Sequence, residues 1–432
     1  MTRSASLPLR PAADKACGKI AILDKDPRIN PTLWKTPDYM RLWTAQVVST
    51  FGSSASSVIY PLLILALTNS PSAAGVASAL RILPYLLLSI PVGALVDRWD
   101  RKRVMIVCDL GRLAAVACIP IAIWFDLLAL WQLYVVSLVE GTFFVFFNIA
   151  EVAALPRVVP RDLLPAATAQ NQAAFGAAVV AGPSVGTLLY ESLGRAAPFV
   201  FDAVTYLVSA LSVLAICSPL RGEAPATAGK LREQIMEGLR WLWQRPVIRT
   251  MAFLTGGINF VYAATPLIMI VLAKEMHASD FDIGVMFSVG GLGGVIGSFF
   301  GARVQRSFSF GQVIVAIVWM QALLFPLYLL APNVVLLGAV FAVIYLLAPI
   351  YNVVQFSYRV AQIPDALQGR VNSVFRLLAS GLQPLGAGLC GVLLEHAGAV
   401  WTVGFFAACY FALAIGAACS RSVRHAPVFG TT

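Results

Sequence analysis

Charge is scarce in this chain. Asp, Glu, Lys and Arg make up 12% of its 432 residues, against about 25% in an ordinary soluble domain. That leaves too little polar surface to cover a water-facing globule, so the chain must fold with lipid as its solvent. Histidine is rarer still. His277, His396 and His425 stand far apart in sequence and make no metal site. The seven cysteines, at 17, 108, 118, 217, 390, 409 and 419, show no paired spacing. Most sit in apolar runs, which predicts small packing residues rather than disulfides or metal ligands. No glycine-rich phosphate loop is present, and no cluster of catalytic His, Cys or carboxylates. Nucleotide-driven work, enzymatic chemistry and a bound cofactor are therefore not expected, which leaves an ion gradient as the energy source. Residues 1–37 hold five prolines and no apolar core of the signal-peptide kind.

What the chain has is long apolar runs. Spans are predicted at 38–67, 73–96, 104–124, 131–155, 168–190, 197–217, 247–272, 282–302, 311–331, 334–358, 368–392 and 398–419. Crossing a bilayer takes about 20 such residues. The predicted fold is an all-α integral membrane protein of twelve transmembrane helices in two six-helix bundles. Its parts are a tail at 1–37, a bundle at 38–217, a linker at 218–246, a bundle at 247–420 and a tail at 421–432. Positive charge follows this plan, because short Lys/Arg-rich loops stay in the cytoplasm. Of the 31 Lys and Arg residues, 26 fall in alternate segments, including four in the hairpin at 98–103. The other loops hold Arg195 and Lys274, and the spans hold Arg81, Arg112 and Arg376. Both termini are thereby predicted to be cytoplasmic, in the inner membrane of a cell. The net charge of +10 reads as a topology signal, not a nucleic-acid footprint.

The halves repeat. A shift of 204 residues carries Gly93 to Gly297, Pro160 to Pro364, Gly182 to Gly386, Glu191 to Glu395 and Gly194 to Gly398. Between them, Leu231, Ile235, Met236, Leu239, Leu242 and Trp243 draw one apolar stripe with cations opposite. That pattern predicts a helix lying on the membrane surface, as a parked linker or as a tether between moving halves.

Gly93-Ala-Leu-Val-Asp97-Arg98-Trp-Asp100-Arg101-Lys102-Arg103 resembles the loop 2–3 signature of the major facilitator superfamily, G-x-L-x-D-R-x-G-R-K/R, with Asp100 in place of its usual Gly. That departure is similar to the drug–proton antiporter branch that includes macrolide and enterobactin exporters. So are the segments 35–43, 155–164 and 369–371. Ala181-Gly182-Pro183-Ser-Val-Gly186-Thr187 resembles the helix-five antiporter signature G-P-x-x-G-G, with Thr187 for the last Gly. The resemblance implies parallel halves that rock about a central cavity. It also implies a latch between them. Asp97 would meet the positive N-terminal end of helix eleven, with Arg98 beside it, and Arg101 would pair with Glu151.

Ionisable residues within spans are costly, about 2.5–3.5 kcal/mol or more at mid-bilayer, and so are functional candidates. Glu140 lies near the midplane of span four and is the first candidate for proton coupling, followed by Asp202 and Asp109. Arg112, three residues after Asp109, is its natural helical partner. The resemblance places helices one, four, seven and ten around the cavity. Its candidate lining is Gln46, Ser49 and Ser53 on the first, Asn259 and Tyr262 on the seventh, and Tyr345, Tyr351, Asn352 and Gln355 on the tenth, with Arg376 of the eleventh. Such an aromatic, weakly charged cavity suits a bulky amphipathic solute. The expected function is efflux of drug-like small molecules by proton antiport, by a monomer with no nucleic-acid or metal partner. A dedicated siderophore or metabolite exporter and a lysophospholipid flippase are the alternatives.

Overall fold

The computed structural model describes residues 33–221, 231–364 and 367–424. The expected tail up to residue 32, residues 222–230 of the linker and residues 425–432 lie outside these. Eleven helical segments are long and apolar enough to cross a membrane. The last, Gln368–Cys419, runs for 52 residues, about 78 Å if straight, far more than a bilayer needs. It is not straight. Gly398 leaves the helical region at φ 80°, so the segment is two helices, and membrane-length passes number twelve among the described residues.

We number these passes in order. α1 is Pro37–Thr68, bent at Val58; α2 is Pro71–Val96; α3 is Arg101–Trp124; α4 is Leu130–Val158; α5 is Leu164–Leu193; and α6 is Ala197–Leu214. In the second half α7 is Pro246–Glu275, α8 Asp280–Ser307, α9 Phe310–Leu330 and α10 Val334–Gln362. α11 is Gln368–Ser380 continued through 383–397, and α12 is 399–419. The helix Leu231–Gln244 joins the halves. Gly238 abuts the Arg370 carbonyl and Glu237 pairs with Arg370, so this helix is docked on the start of α11.

Local chemistry sets these ends. Asp100 caps α3, its Oδ1 accepting from Lys102 N at 3.0 Å and Arg103 N at 3.4 Å. Ser279 and Asp282 form a capping box at α8, and Asn333 caps α10. The repeat is visible in the backbone. Gly194 and Gly398 both take positive φ at the same inter-helix turn, which only Gly enters without strain. Gly182 packs on α1 at Ser54, and Gly386 packs on the equivalent α7 at Phe260.

Small residues let helix backbones touch. A Cβ on Gly186 would lie 1.9 Å from the Ala55 carbonyl oxygen. Gly186→Ala is therefore expected to force α5 off α1, costing about 1–3 kcal/mol or more; the melting of purified protein measures it. Five of the described cysteines are free, as expected. Cys217 departs from expectation and is disulfide-bonded. It sits exposed at the chain's exit from α6, outside the apolar packing on which the expectation rested.

We call the side carrying residues 97–100 the loop face. On the opposite face the halves are joined. α2 meets α11 where Gly75 touches Gly391, and α5 meets α8 where Gly284 touches Thr187 and Pro183.

Candidate functional site

Two cavities lie between the halves. The first, of about 450 Å³, is lined by Tyr60, Arg81 and Pro183 from one half and by Tyr262, Phe287 and Tyr345 from the other. The second, of about 580 Å³, runs from Arg81 past Glu140 to Glu151 and includes Gln46, Ser49 and Ser53. Arg81 and Gln383 line both.

The wall supplied by the second half is aromatic. Tyr262 and Tyr345 stack with centroids 5.0 Å apart, Phe341 lies 4.3 Å from Tyr345, and Phe287 meets Phe341 edge-on at 5.5 Å. Rings in these arrangements offer a large, rigid apolar surface with a polar tip at each Tyr.

The facing wall is charged. Arg81 donates to Glu140 Oε1 at 2.6 Å, and Tyr206 donates to the same oxygen at 3.2 Å. Both residues sit ten positions into their helices, α2 and α4, which start on the same face, so they share a depth of about 15 Å. Gly141 lets the helices close on each other, since a Cβ there would lie 2.1 Å from the Arg81 carbonyl oxygen. Glu140 Oε2 is buried and has no protein partner among the described residues. Behind this pair, Arg112 is ion-paired with Asp109 at the spacing expected and lies between the Phe147 and Tyr206 rings. Ser209 donates to Asp109 at 2.6 Å. Asp202 is fully buried, and its Oδ2 accepts from the Ser56 hydroxyl at 2.6 Å. Among the described residues no cation is ion-paired with it.

Several expected lining residues are engaged elsewhere. Tyr351 hydrogen-bonds Thr255 at 2.8 Å, and Asn259 donates to the Ala379 carbonyl at 2.8 Å. Gln355 is buried, Asn352 is exposed, and neither lines these two cavities. Arg376 donates to the Tyr85 hydroxyl across the halves at 3.3 Å. Gly182 and Gly186 are packing contacts to α1, whereas Pro183 reaches the first cavity. Sequence reasoning assigned no role to Arg81, Tyr60 or Tyr206.

The latch elements are apart. Asp97 is exposed and lies 3.8 Å from Arg101. No hydrogen bond or ion pair joins it to α11 among the described residues. Arg101 donates to the Ala153 carbonyl at 3.1 Å and does not pair with Glu151, which lines the second cavity. On the opposite face the halves are bonded. Glu395 of α11 accepts from the Ser70 hydroxyl and from Ser72 N at 2.9 Å at the start of α2. Glu191 of α5 accepts from Phe281 N at 2.9 Å at the start of α8. The two glutamates related by the 204-residue shift thus cross between halves in opposite directions.

The model of one protein family, described as Major Facilitator Superfamily, matches residues 42–382. The chain belongs to this superfamily. Members with curated descriptions resemble it over most of their length. The multidrug efflux pump Tap of Mycobacterium tuberculosis is 27% identical over 82% of this chain and 86% of its own. Macrolide efflux protein A of Streptococcus pyogenes is 25% identical over 84% and 91%. Among solved structures, the nucleoside transporter NupG overlays with a TM-score of 0.72 at 12% identity, covering 88% of this chain and 98% of its own. A bacterial homologue of the iron transporter ferroportin, in an inward-facing state, gives 0.72 at 13%, covering 88% and 98%. Likeness at that identity speaks for the superfamily fold, twelve helices in two bundles. The fold is that of a multi-pass membrane transporter.

Proposed function

We propose that this transporter exports hydrophobic or amphipathic small molecules in exchange for protons, by alternating access. The observation that carries this reading is the space between the halves: an aromatic wall from one half faces Arg81 of the other, whose partner Glu140 lines the adjoining second cavity, at mid-bilayer depth. An apolar surface with a few fixed polar groups is what a drug-sized site requires. The efflux pumps Tap and macrolide efflux protein A supply the direction of transport by likeness. The loop face, with its cations, is the cytoplasmic one on this reading. The conformation described is then open to the cytoplasm and closed outside by Glu191 and Glu395. In the outward-open state Asp97 moves to the start of α11 and latches the inner face. Asp97→Asn is expected to express normally and lose most transport.

Protons enter through the charge balance of the buried cluster. It holds three carboxylates, Asp109, Glu140 and Asp202, and two guanidiniums, Arg81 and Arg112. Two carboxylates are paired, and the third, Asp202, has hydroxyl partners. A buried carboxylate without a cation is costly, so Asp202 is the residue we assign to carry the proton. Glu140, which lines the second cavity, is the group that reports substrate to it. The shared element is Tyr206, which touches Ser53 and Glu140 and stands one helical turn from Asp202.

The test is efflux of a chemically varied substrate panel from a pump-deficient host, with and without a protonophore. Retention of substrate by cells expressing the wild type at the level of empty vector would end this reading. A second experiment addresses the outer closure. Glu191→Gln with Glu395→Gln is expected to raise labelling of a cavity cysteine at Ser137 by an impermeant thiol reagent severalfold, since the inter-half bonds to both glutamates weaken together.

A further inference from the structure

A third cavity, of about 560 Å³, lies away from the inter-half space, at the loop face beside α3 and α4. Three cations line it: Arg98, Arg103 and Arg221. They come from three places in the chain. Arg98 is in the loop after α2, Arg103 is in the first turn of α3, and Arg221 follows α6. A β-bridge between Asp100 and Arg221 brings the last of these to the loop. The strand of chain leading to it is tied down as well. Asp38 accepts from Ser218 N at 2.8 Å and Cys217 N at 3.1 Å, and Lys102 Nζ donates to the Ile216 carbonyl at 2.7 Å.

The neighbouring cations are engaged elsewhere. Lys102 holds Ile216, and Arg101 turns inward to Ala153. The lining contains one carboxylate, Asp100, which caps α3 through Oδ1 and lies 3.8 Å from Arg103 Nε. Arg98 and Arg221 have no ion-pair partner among the described residues. The crevice therefore carries an excess of positive charge.

Its floor is apolar. Phe143 and Val107 line it, and Val107 is 60% exposed on the lipid-facing side of α3. Trp99 stacks on Phe146 at 6.3 Å with an interplanar angle of 10°, forming a flat side wall. Trp at this level is a usual membrane-interface anchor. A basic rim over an apolar floor that continues into the lipid-facing surface matches an acyl-bearing phosphate, whereas a free anion would have no use for that floor. We propose that this crevice binds the phosphate of an anionic phospholipid from the leaflet at the loop face, with its acyl chains along Val107 and Phe143. Basic pockets between spanning helices recognise lipid headgroups through such pairing. The bound lipid would fasten the loop after α2 to the segment after α6.

The test is native mass spectrometry of the purified full-length protein with added phosphatidylglycerol or phosphatidylcholine, alongside melting with each lipid and with inorganic phosphate. Wild type is expected to retain phosphatidylglycerol in preference to phosphatidylcholine. R103Q/R221Q is expected to lose about twenty-fivefold in phosphatidylglycerol affinity, at about fivefold per cation. R103K/R221K, which keeps the charges, is expected to retain it. If the double Gln variant does not fold, Arg221→Gln alone reads the fivefold step. Equal retention of both lipids by wild type, or undiminished phosphatidylglycerol binding by the folded Gln variants, overturns the proposal. Stabilisation by inorganic phosphate as large as that by phosphatidylglycerol overturns it in favour of a soluble anion.

Discussion

Asp202→Asn is expected to abolish uphill, proton-driven export while leaving substrate binding and substrate–substrate exchange in place. The substitution is nearly isosteric, and the amide oxygen still accepts from the Ser56 hydroxyl that holds the carboxylate at 2.6 Å. What it removes is an exchangeable proton. Within the cluster of Asp109, Glu140 and Asp202, Asp202 is the acid without a guanidinium partner, so its ionised form is the one left uncompensated. In proteoliposomes, the Asn variant should equilibrate substrate across the membrane and fail to concentrate it when a pH gradient is imposed. Wild type should concentrate it. A role confined to packing would give a different pattern: Asp202→Asn would behave as wild type, and Asp202→Ala would lose both activities. Gradient-driven accumulation by Asp202→Asn would remove Asp202 from the proton path.

The second large effect concerns Arg81 and Glu140. Breaking a buried pair by removing one partner strands the other charge and costs about 3–5 kcal/mol. Arg81→Met and Glu140→Met are each expected to lower the folded yield sharply, because Glu140 has 3% of its side chain exposed and Arg81 26%. The double variant removes both charges, and its stability is expected to return to within about 1 kcal/mol of wild type, since apolar replacement of a whole pair is often neutral. Transport is not expected to return with it. Unfolding of the purified single and double variants, followed with efflux, measures the separation. A double variant as unstable as the singles would place the value of these residues in packing and not in their pairing.

Much of the architecture is legible in the residues, and the reason is the solvent. Lipid demands about 20 apolar residues per pass, so the runs mark the helices within a few positions; the sequence predicts the second at 73–96 and it is Pro71–Val96. Gly398 divides an otherwise continuous apolar stretch, as its repeat partner Gly194 does. The Asp109–Arg112 pair is legible because three residues bring side chains together on one helix. Arg81 and Glu140, 59 residues apart, depend on how two helices pack. The available signal was their matched depth and the adjacent Gly141. The lining of α10 was harder to read. That helix is apolar around most of its circumference, so nothing in its pattern says that Tyr345 turns to the cavity while Tyr351 turns to Thr255.

The central claim is that the two halves close on alternate faces around the space between them. Paired distance measurements between spin labels test it most directly, in full-length protein carrying one pair at a time. Leu193 and Val335, both well exposed, report the face opposite the loop face, and Leu95 and Arg306 the loop face. Between low and high pH with substrate present, one distance is expected to lengthen as the other shortens. Distances that stay fixed, or that lengthen together, would contradict the account.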